Sequence, residues 1–166
     1  RRGHQRVANG RAGNHQNLAD GCTAQLGGVG LAAVQPPGQA HGQLERVLAH
    51  NPSLIALNGY DEAFLSGLAM GAHGMIGSTV NFMARKFIAL RDAFVAGRND
   101  EAFRLQREAN EIIETMVEVG VFNAVKYALT LRGIDCGTCR SPFKPLTENG
   151  KDQVRAVLNK CLGEAL

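Results

Sequence analysis

Apolar residues recur at helical spacing through most of the chain, and short apolar runs interrupt that spacing near its middle. Leu44 and Leu48 mark a first helix, which ends before Pro52 because a proline disfavours helix at the residue before it. Residues 53–58 form a short apolar run bounded by turn residues, which predicts a strand, and residues 75–78 predict a second one. Between them, residues 62–70 are predicted to be helical.

Longer helical stripes follow the second strand, and each carries apolar residues three and four positions apart. The strand, helix, strand, helix order is that of one βαβ unit with its trailing helix, which predicts parallel strands with a right-handed crossover. The remaining helices are predicted at about residues 81–96, from Asn99 or Asp100 to Val119, from Phe122 to Leu129, and from Val154 to Cys161.

The first part of the chain differs from the rest in composition and in the pattern of its apolar residues. Residues 1–43 hold nine of the twenty glycines, and neither a helical nor a strand period of apolar residues persists there. We therefore predict two parts: residues 1–42, a low-complexity segment that is disordered or unrelated to the rest, and residues 43–166, a folded domain.

Composition narrows the function classes. With 45% apolar and 20% charged residues the chain has an ordinary soluble composition, and no apolar run spans a membrane, so we expect a cytoplasmic protein. The net charge is +3, and the N-terminal part is the basic one. That part has no aromatic residue that could stack on a base, which argues against nucleic-acid binding. The single motif Cys136-Gly-Thr-Cys139 is a weak metal or redox signal, so we expect no metal and no cofactor.

Polar residues follow both predicted strands directly. Asp61 and Glu62 come after the first strand, and Ser78 and Thr79 come after the second. Carboxylates accept hydrogen bonds from neighbouring hydroxyl groups, which suits a polyhydroxylated ligand. The alternative is that the two acids occupy a helix N-terminus, where free N–H groups favour negative charge, and the residues alone favour that alternative. His73 is interpreted as a turn residue ahead of the second strand.

Three segments carry a family resemblance: NGYDEAFLSGLAMGAHGMIGSTVNFM, VFNAVKYALTLRGID and SPFKPLTE. Over about residues 43–162 the chain resembles the C-terminal part of the pyruvate-dependent aldolases of the dihydrodipicolinate synthase / N-acetylneuraminate lyase family. Glu62 after Asp61 places the resemblance nearest the lyase branch. The resemblance implies an α/β fold, the C-terminal portion of a TIM (β/α)8 barrel with its last two strand–helix units and extra C-terminal helices.

The resemblance also implies a reaction and a site. Members of the lyase branch reversibly cleave N-acetylneuraminate to N-acetylmannosamine and pyruvate through a Schiff base on a lysine. The matching positions imply small-molecule substrate contacts from the backbone of Gly59 and from Asp61, Glu62 and Ser78. The position of the family's lysine falls near Gln35, and a glutamine amide cannot form the imine, so no catalytic residue is assigned. We expect an inactive fragment or damaged copy.

Other interpretations remain open from the sequence. One is another pyruvate-dependent aldolase or dehydratase, such as dihydrodipicolinate synthase. A second, of a different class, is a non-catalytic interaction protein, because the family's C-terminal helices contribute to a homotetramer and a homo-oligomer could form through them here. Residues 1–42 could be an out-of-frame translation or a divergent segment.

Overall fold

The computed structural model describes residues 23–26, 29–34 and 40–163. The strands lie in the first part of the described chain together with two α-helices, and four further helices make up the rest. The elements are β1 (Thr23–Leu26), β2 (Val29–Val34), α1 (Ala40–His50), β3 (Ile55–Asn58), a short 3-10 helix (Asp61–Ala63), α2 (Phe64–Ala69), β4 (Gly74–Met75), α3 (Val80–Val95), α4 (Asn99–Val119), α5 (Val121–Thr130) and α6 (Glu148–Leu162).

The strands form one sheet in the order β1-β2-β3-β4. β1 pairs antiparallel with β2, whereas β2, β3 and β4 are parallel, with α1 and α2 as the crossovers. Val34 lies opposite Asn58, and Asn58 lies opposite Met75. These three residues define what we call the carboxyl edge of the sheet, and the parallel arrangement of β3 and β4 confirms the predicted βαβ unit.

Two features of the sheet differ from the predicted pattern. β4 contains only Gly74–Met75, because the chain leaves the sheet after the Ile76 N–H has bonded to Asn58 and then packs Gly77 against Asp61. β1 and β2 lie within residues 1–42, where the apolar pattern predicted no strand. The run VGLAAV has no alternation of apolar and polar residues, so its strand period is invisible in the sequence, as is usual for parallel strands. The boundary at residue 42 stays a prediction.

The main hydrophobic core lies among α2 to α6. In α4 the apolar positions Ala102, Ala109, Ile112 and Met116 are fully buried, as their helical spacing predicts. Phe64 of α2 meets Phe87 of α3 edge to face, with ring centroids 5.9 Å apart. A smaller cluster, formed by Leu44, Ala56 and Ala72, joins α1 to the sheet. None of the helices in the described part of the chain is both long enough and apolar enough to cross a lipid bilayer.

An ion-pair network joins α3 to α4 beside this core. The Lys86 ammonium, whose side chain is only 7% exposed, donates to Glu108, and Arg104 donates to the other carboxylate oxygen at 2.6 Å. Partial burial by itself raises the pKa of Glu108, but the hydrogen bonds from Lys86 and Arg104 outweigh it, so the pKa is lowered. The carboxylate is therefore the form that the folded state stabilises.

We expect Glu108→Gln to lower the free energy of unfolding by about 2 kcal/mol at pH 7, because it leaves the buried Lys86 ammonium without its counter-charge. Urea unfolding followed by circular dichroism measures the change. The matched control is Glu114→Gln, which removes an exposed carboxylate from the same helix. Equal stability of the two variants would contradict the assignment.

The same network predicts a pH dependence. Because the pKa of Glu108 is lowered on folding, its contribution is present above the ordinary value of 4.5 and is lost as the pH falls through the lowered value. Between pH 7 and pH 3, the stability of the wild-type chain should therefore fall more steeply than that of Glu108→Gln.

Candidate functional site

The turn that follows β3 is organised by Asn58, which is 3% exposed. Its carbonyl oxygen accepts from the Ile76 N–H at 2.9 Å, and its side-chain amide donates to the Tyr60 carbonyl at 2.6 Å. A β-carbon at Gly67 would lie 2.7 Å from the Asn58 amide oxygen, so the amide fits only because residue 67 has no side chain. Asn58 thus holds Gly59 and Tyr60 in a defined path along the carboxyl edge.

Asp61 joins the two strand exits. Its carboxylate is buried, and one oxygen, Oδ2, accepts hydrogen bonds from the backbone N–H of Thr79 at 3.1 Å and from the Thr79 hydroxyl. A β-carbon at Gly77 would lie 1.6 Å from the other oxygen, Oδ1, so the carboxylate rests directly on Gly77. The two sets of polar residues that the sequence placed after β3 and β4 are therefore brought together by this contact.

Glu62 and Ser78 stand in different surroundings from Asp61. Glu62 is half-buried and Ser78 is exposed. Within residues 40–163, no hydrogen-bond or ion-pair partner is seen for the Glu62 carboxylate, and the Ser78 backbone carbonyl, not its hydroxyl, accepts from Asn81. Both polar groups are therefore available to a ligand. Asp61 does begin a 3-10 helix, as the alternative interpretation expected, but its carboxylate binds the start of α3 instead of its own helix.

A pair of amides on α4 supports this segment from behind. The Gln106 side chain, which is 8% exposed, donates to the Asp61 carbonyl at 3.0 Å and accepts from the Leu65 N–H at 2.8 Å. Asn110, one turn further along, donates to the Glu62 carbonyl at 3.2 Å. Neither Gln106 nor Asn110 was predicted from the sequence to belong to the site. The available signal was a pair of amide residues four positions apart beside the buried stripe of α4.

The other groups considered in the sequence have structural surroundings. The His73 ring nitrogen Nδ1 accepts from the Ala56 N–H at 3.2 Å, immediately before β4. Cys136 and Cys139 lie half-buried in a loop whose backbone is held by Lys126 and Asn123 of α5. No cluster of three potential metal ligands occurs in the described portion of the chain. Gln35, the position that the resemblance assigns to the family's lysine, lies outside the described residues.

Comparisons with known proteins identify this architecture. The fold is the C-terminal portion of a TIM (β/α)8 barrel with additional helices, as predicted, because it superposes on solved barrels of that type. The chain belongs to the Dihydrodipicolinate synthetase family, whose model matches residues 31–161. The match therefore begins at residue 31, whereas the resemblance in the sequence predicted a start at about residue 43.

Several relatives carry a more specific name. The chain is 48% identical to an N-acetylneuraminate lyase from Rhizobium meliloti over 106 residues, which cover 64% of this chain and 36% of that protein. A solved N-acetylneuraminate lyase from Fusobacterium nucleatum, complexed with pyruvate, is 30% identical with a TM-score of 0.67, covering 72% of this chain and 40% of that one.

A dihydrodipicolinate synthase from Bacillus anthracis shares the fold alone, at 23% identity with a TM-score of 0.68 over 76% of this chain and 44% of that one. The chain spans less than half the length of the curated relatives it matches. The activity of those whole proteins is therefore not carried over to this chain by similarity.

The contact between Asp61 and Gly77 predicts a severe effect from one methyl group. Gly77→Ala should displace the carboxylate and break both bonds from Thr79, lowering the free energy of unfolding by about 2 kcal/mol or more, the usual cost of lost hydrogen bonds to a buried charged group. Urea unfolding measures the loss.

The matched control is Gly74→Ala, three residues before Gly77. A β-carbon there would lie 3.4 Å from a Leu57 methyl group, an ordinary packing distance. If both alanine variants are equally stable, Asp61 does not join the strand exits as described.

Proposed function

We propose that the carboxyl edge binds the polyhydroxylated tail of a sugar acid of the N-acetylneuraminate class. The observation that carries the proposal is the contrast between two adjacent acids: Asp61 is buried and bonded, whereas Glu62 keeps a carboxylate with no partner among the described residues. In this proposal, the Asp61 contact keeps the segment that carries the Glu62 carboxylate next to the exit of β4. The relatives named N-acetylneuraminate lyase support this choice of ligand.

In this proposal each site residue has a separate task. The Glu62 carboxylate accepts hydrogen bonds from neighbouring hydroxyl groups of the tail, and the Ser78 hydroxyl donates to or accepts from the next one. The backbone of Gly59 lines the near side of the site. Asp61 holds the two strand exits together, because its Oδ2 accepts both bonds from Thr79 and its Oδ1 lies against Gly77.

We also propose that the chain by itself does not carry out aldol cleavage. That reaction requires a lysine amine with a lowered pKa, which attacks a ketone to form an imine. β2 ends at Val34 on the carboxyl edge, opposite Asn58, and the next residue in the sequence is Gln35. An amide nitrogen is not nucleophilic, so no imine forms at this position.

The chain's five lysines do not replace the missing amine. All of them lie between residues 86 and 160, on helices α3, α5 and α6 or in the loop before α6. Lys86 is paired with Glu108. Lys151 donates a hydrogen bond to the Glu148 carboxylate and Lys160 donates one to Glu111, and these bonds raise the pKa of both lysines, which is opposite to what imine formation needs.

Ligand binding tests the first proposal. We expect N-acetylneuraminate to shift the backbone amide signals of residues 59–62 and 78 in heteronuclear NMR spectra. Glu62→Ala should weaken binding about tenfold, because it removes a charged acceptor. The control is Glu114→Ala, which removes an exposed carboxylate on α4. Unchanged affinity for Glu62→Ala, or shifts confined to other regions, would overturn the proposed site.

Chemical trapping tests the second proposal. We expect no mass increase when the chain is incubated with pyruvate and then reduced with borohydride, whereas a full-length lyase treated alongside should be labelled. A stoichiometric adduct mapped to one lysine would show that an imine-forming amine exists, and the inactivity of the chain would then be rejected.

A further inference from the structure

We propose that Gln106 and Asn110 of α4 are positioning residues that aim the Glu62 carboxylate and thereby set selectivity for the length of the ligand's tail. The inference rests on the proposed sugar-acid site. Neither amide needs to touch the ligand. They act on the backbone of the two acids, so their effect appears in which ligand is preferred.

The geometry is a connected set of four hydrogen bonds. Gln106 donates through Nε2 to the Asp61 carbonyl at 3.0 Å and to the Asn110 amide oxygen at 2.8 Å. Its own oxygen accepts from the Leu65 N–H at 2.8 Å. Asn110 then donates through Nδ2 to the Glu62 carbonyl at 3.2 Å. The carbonyls of two consecutive residues are thus held by two side chains one helical turn apart.

This arrangement fixes the direction of the Glu62 side chain. Holding the carbonyls of both Asp61 and Glu62 determines the orientation of the peptide group between them and of the one that follows. The Glu62 α-carbon lies between these two groups, so its side chain leaves the backbone in a set direction. Asp61 is separately held by Thr79, which leaves little freedom for the segment to rotate.

The chemistry at these positions requires amides. Gln106 uses both its donor and its acceptor functions, and Asn110 accepts from Gln106 while donating to Glu62. A carboxylate of the same size could accept but could not donate. Because α4 belongs to the main core, the amides hold the site at a set distance from the helical layer.

The test variant is therefore Asn110→Asp. It keeps the side-chain volume and the acceptor for Gln106, but it sets a negative oxygen against the Glu62 carbonyl in place of a donor. The matched control is Asn149→Asp, the same chemical change at an exposed position in the first turn of α6.

The measurement is a ratio of affinities. Dissociation constants are measured by NMR titration for N-acetylneuraminate and for its analogue shortened at the tail by periodate oxidation and borohydride reduction. We expect the wild-type chain and Asn149→Asp to prefer the full tail, and Asn110→Asp to lose about tenfold of that preference. A purely structural role would lower stability without changing this ratio in the folded molecules.

The outcomes separate the two proposals. If the wild-type chain binds neither ligand, the proposed function fails, and this inference fails with it. If the wild-type chain prefers the full tail and folded Asn110→Asp keeps the same ratio, the inference alone is overturned. If Asn110→Asp does not fold, the inference is tested on the wild-type chain by following the NMR signal of the Asn110 side-chain amide. That signal should shift when the full ligand is added and not when the shortened one is added. A signal that does not shift with the full ligand rejects the inference.

Discussion

The buried carboxylate of Asp61 is the contact on which the candidate site depends. Two strands exit the sheet side by side, but nothing in a parallel pair alone requires their following turns to meet. Asp61 makes them meet, because its Oδ2 accepts two bonds from Thr79 while its Oδ1 rests on Gly77. A carboxylate taken out of water is costly unless it is hydrogen-bonded, so this segment strongly favours one arrangement. Glu62 and Ser78 take their places relative to that contact.

The helical layer contributes to the site as well as to stability. α4 carries the buried apolar stripe of the main core, and beside it carries Gln106 and Asn110, which hold the backbone of the acidic segment. One helix thus joins the core to the carboxyl edge. The free-energy cost of burying the Gln106 amide is offset because its nitrogen donates two hydrogen bonds and its oxygen accepts one. A packing helix is therefore also the support of a polar site.

The family to which the chain belongs includes aldolases, but the chemistry proposed for this chain does not include aldol cleavage. The fold and the family match place the chain among the barrels of the dihydrodipicolinate synthetase family, whereas the resemblance assigns the imine-forming lysine to position 35, where this sequence has glutamine. Under the proposed function, the residues that would bind the tail of the sugar acid follow β3 and β4, whereas the position assigned to the amine follows β2. The chain could then bind a ligand without cleaving it.

The sequence by itself determined the periodic features: the helical stripes of α3 to α6, the parallel pair β3 and β4, and the polar residues at their ends. These features follow from the spacing of apolar and polar residues along the sequence, which can be recognised before the fold is known. The tertiary structure alone decided that Asp61 bonds to Thr79 while Glu62 has no partner within residues 40–163, that Gly77 must lack a side chain, and that Gln106 reaches residues more than forty positions away. Such contacts arise between elements distant in sequence, where no local period records them.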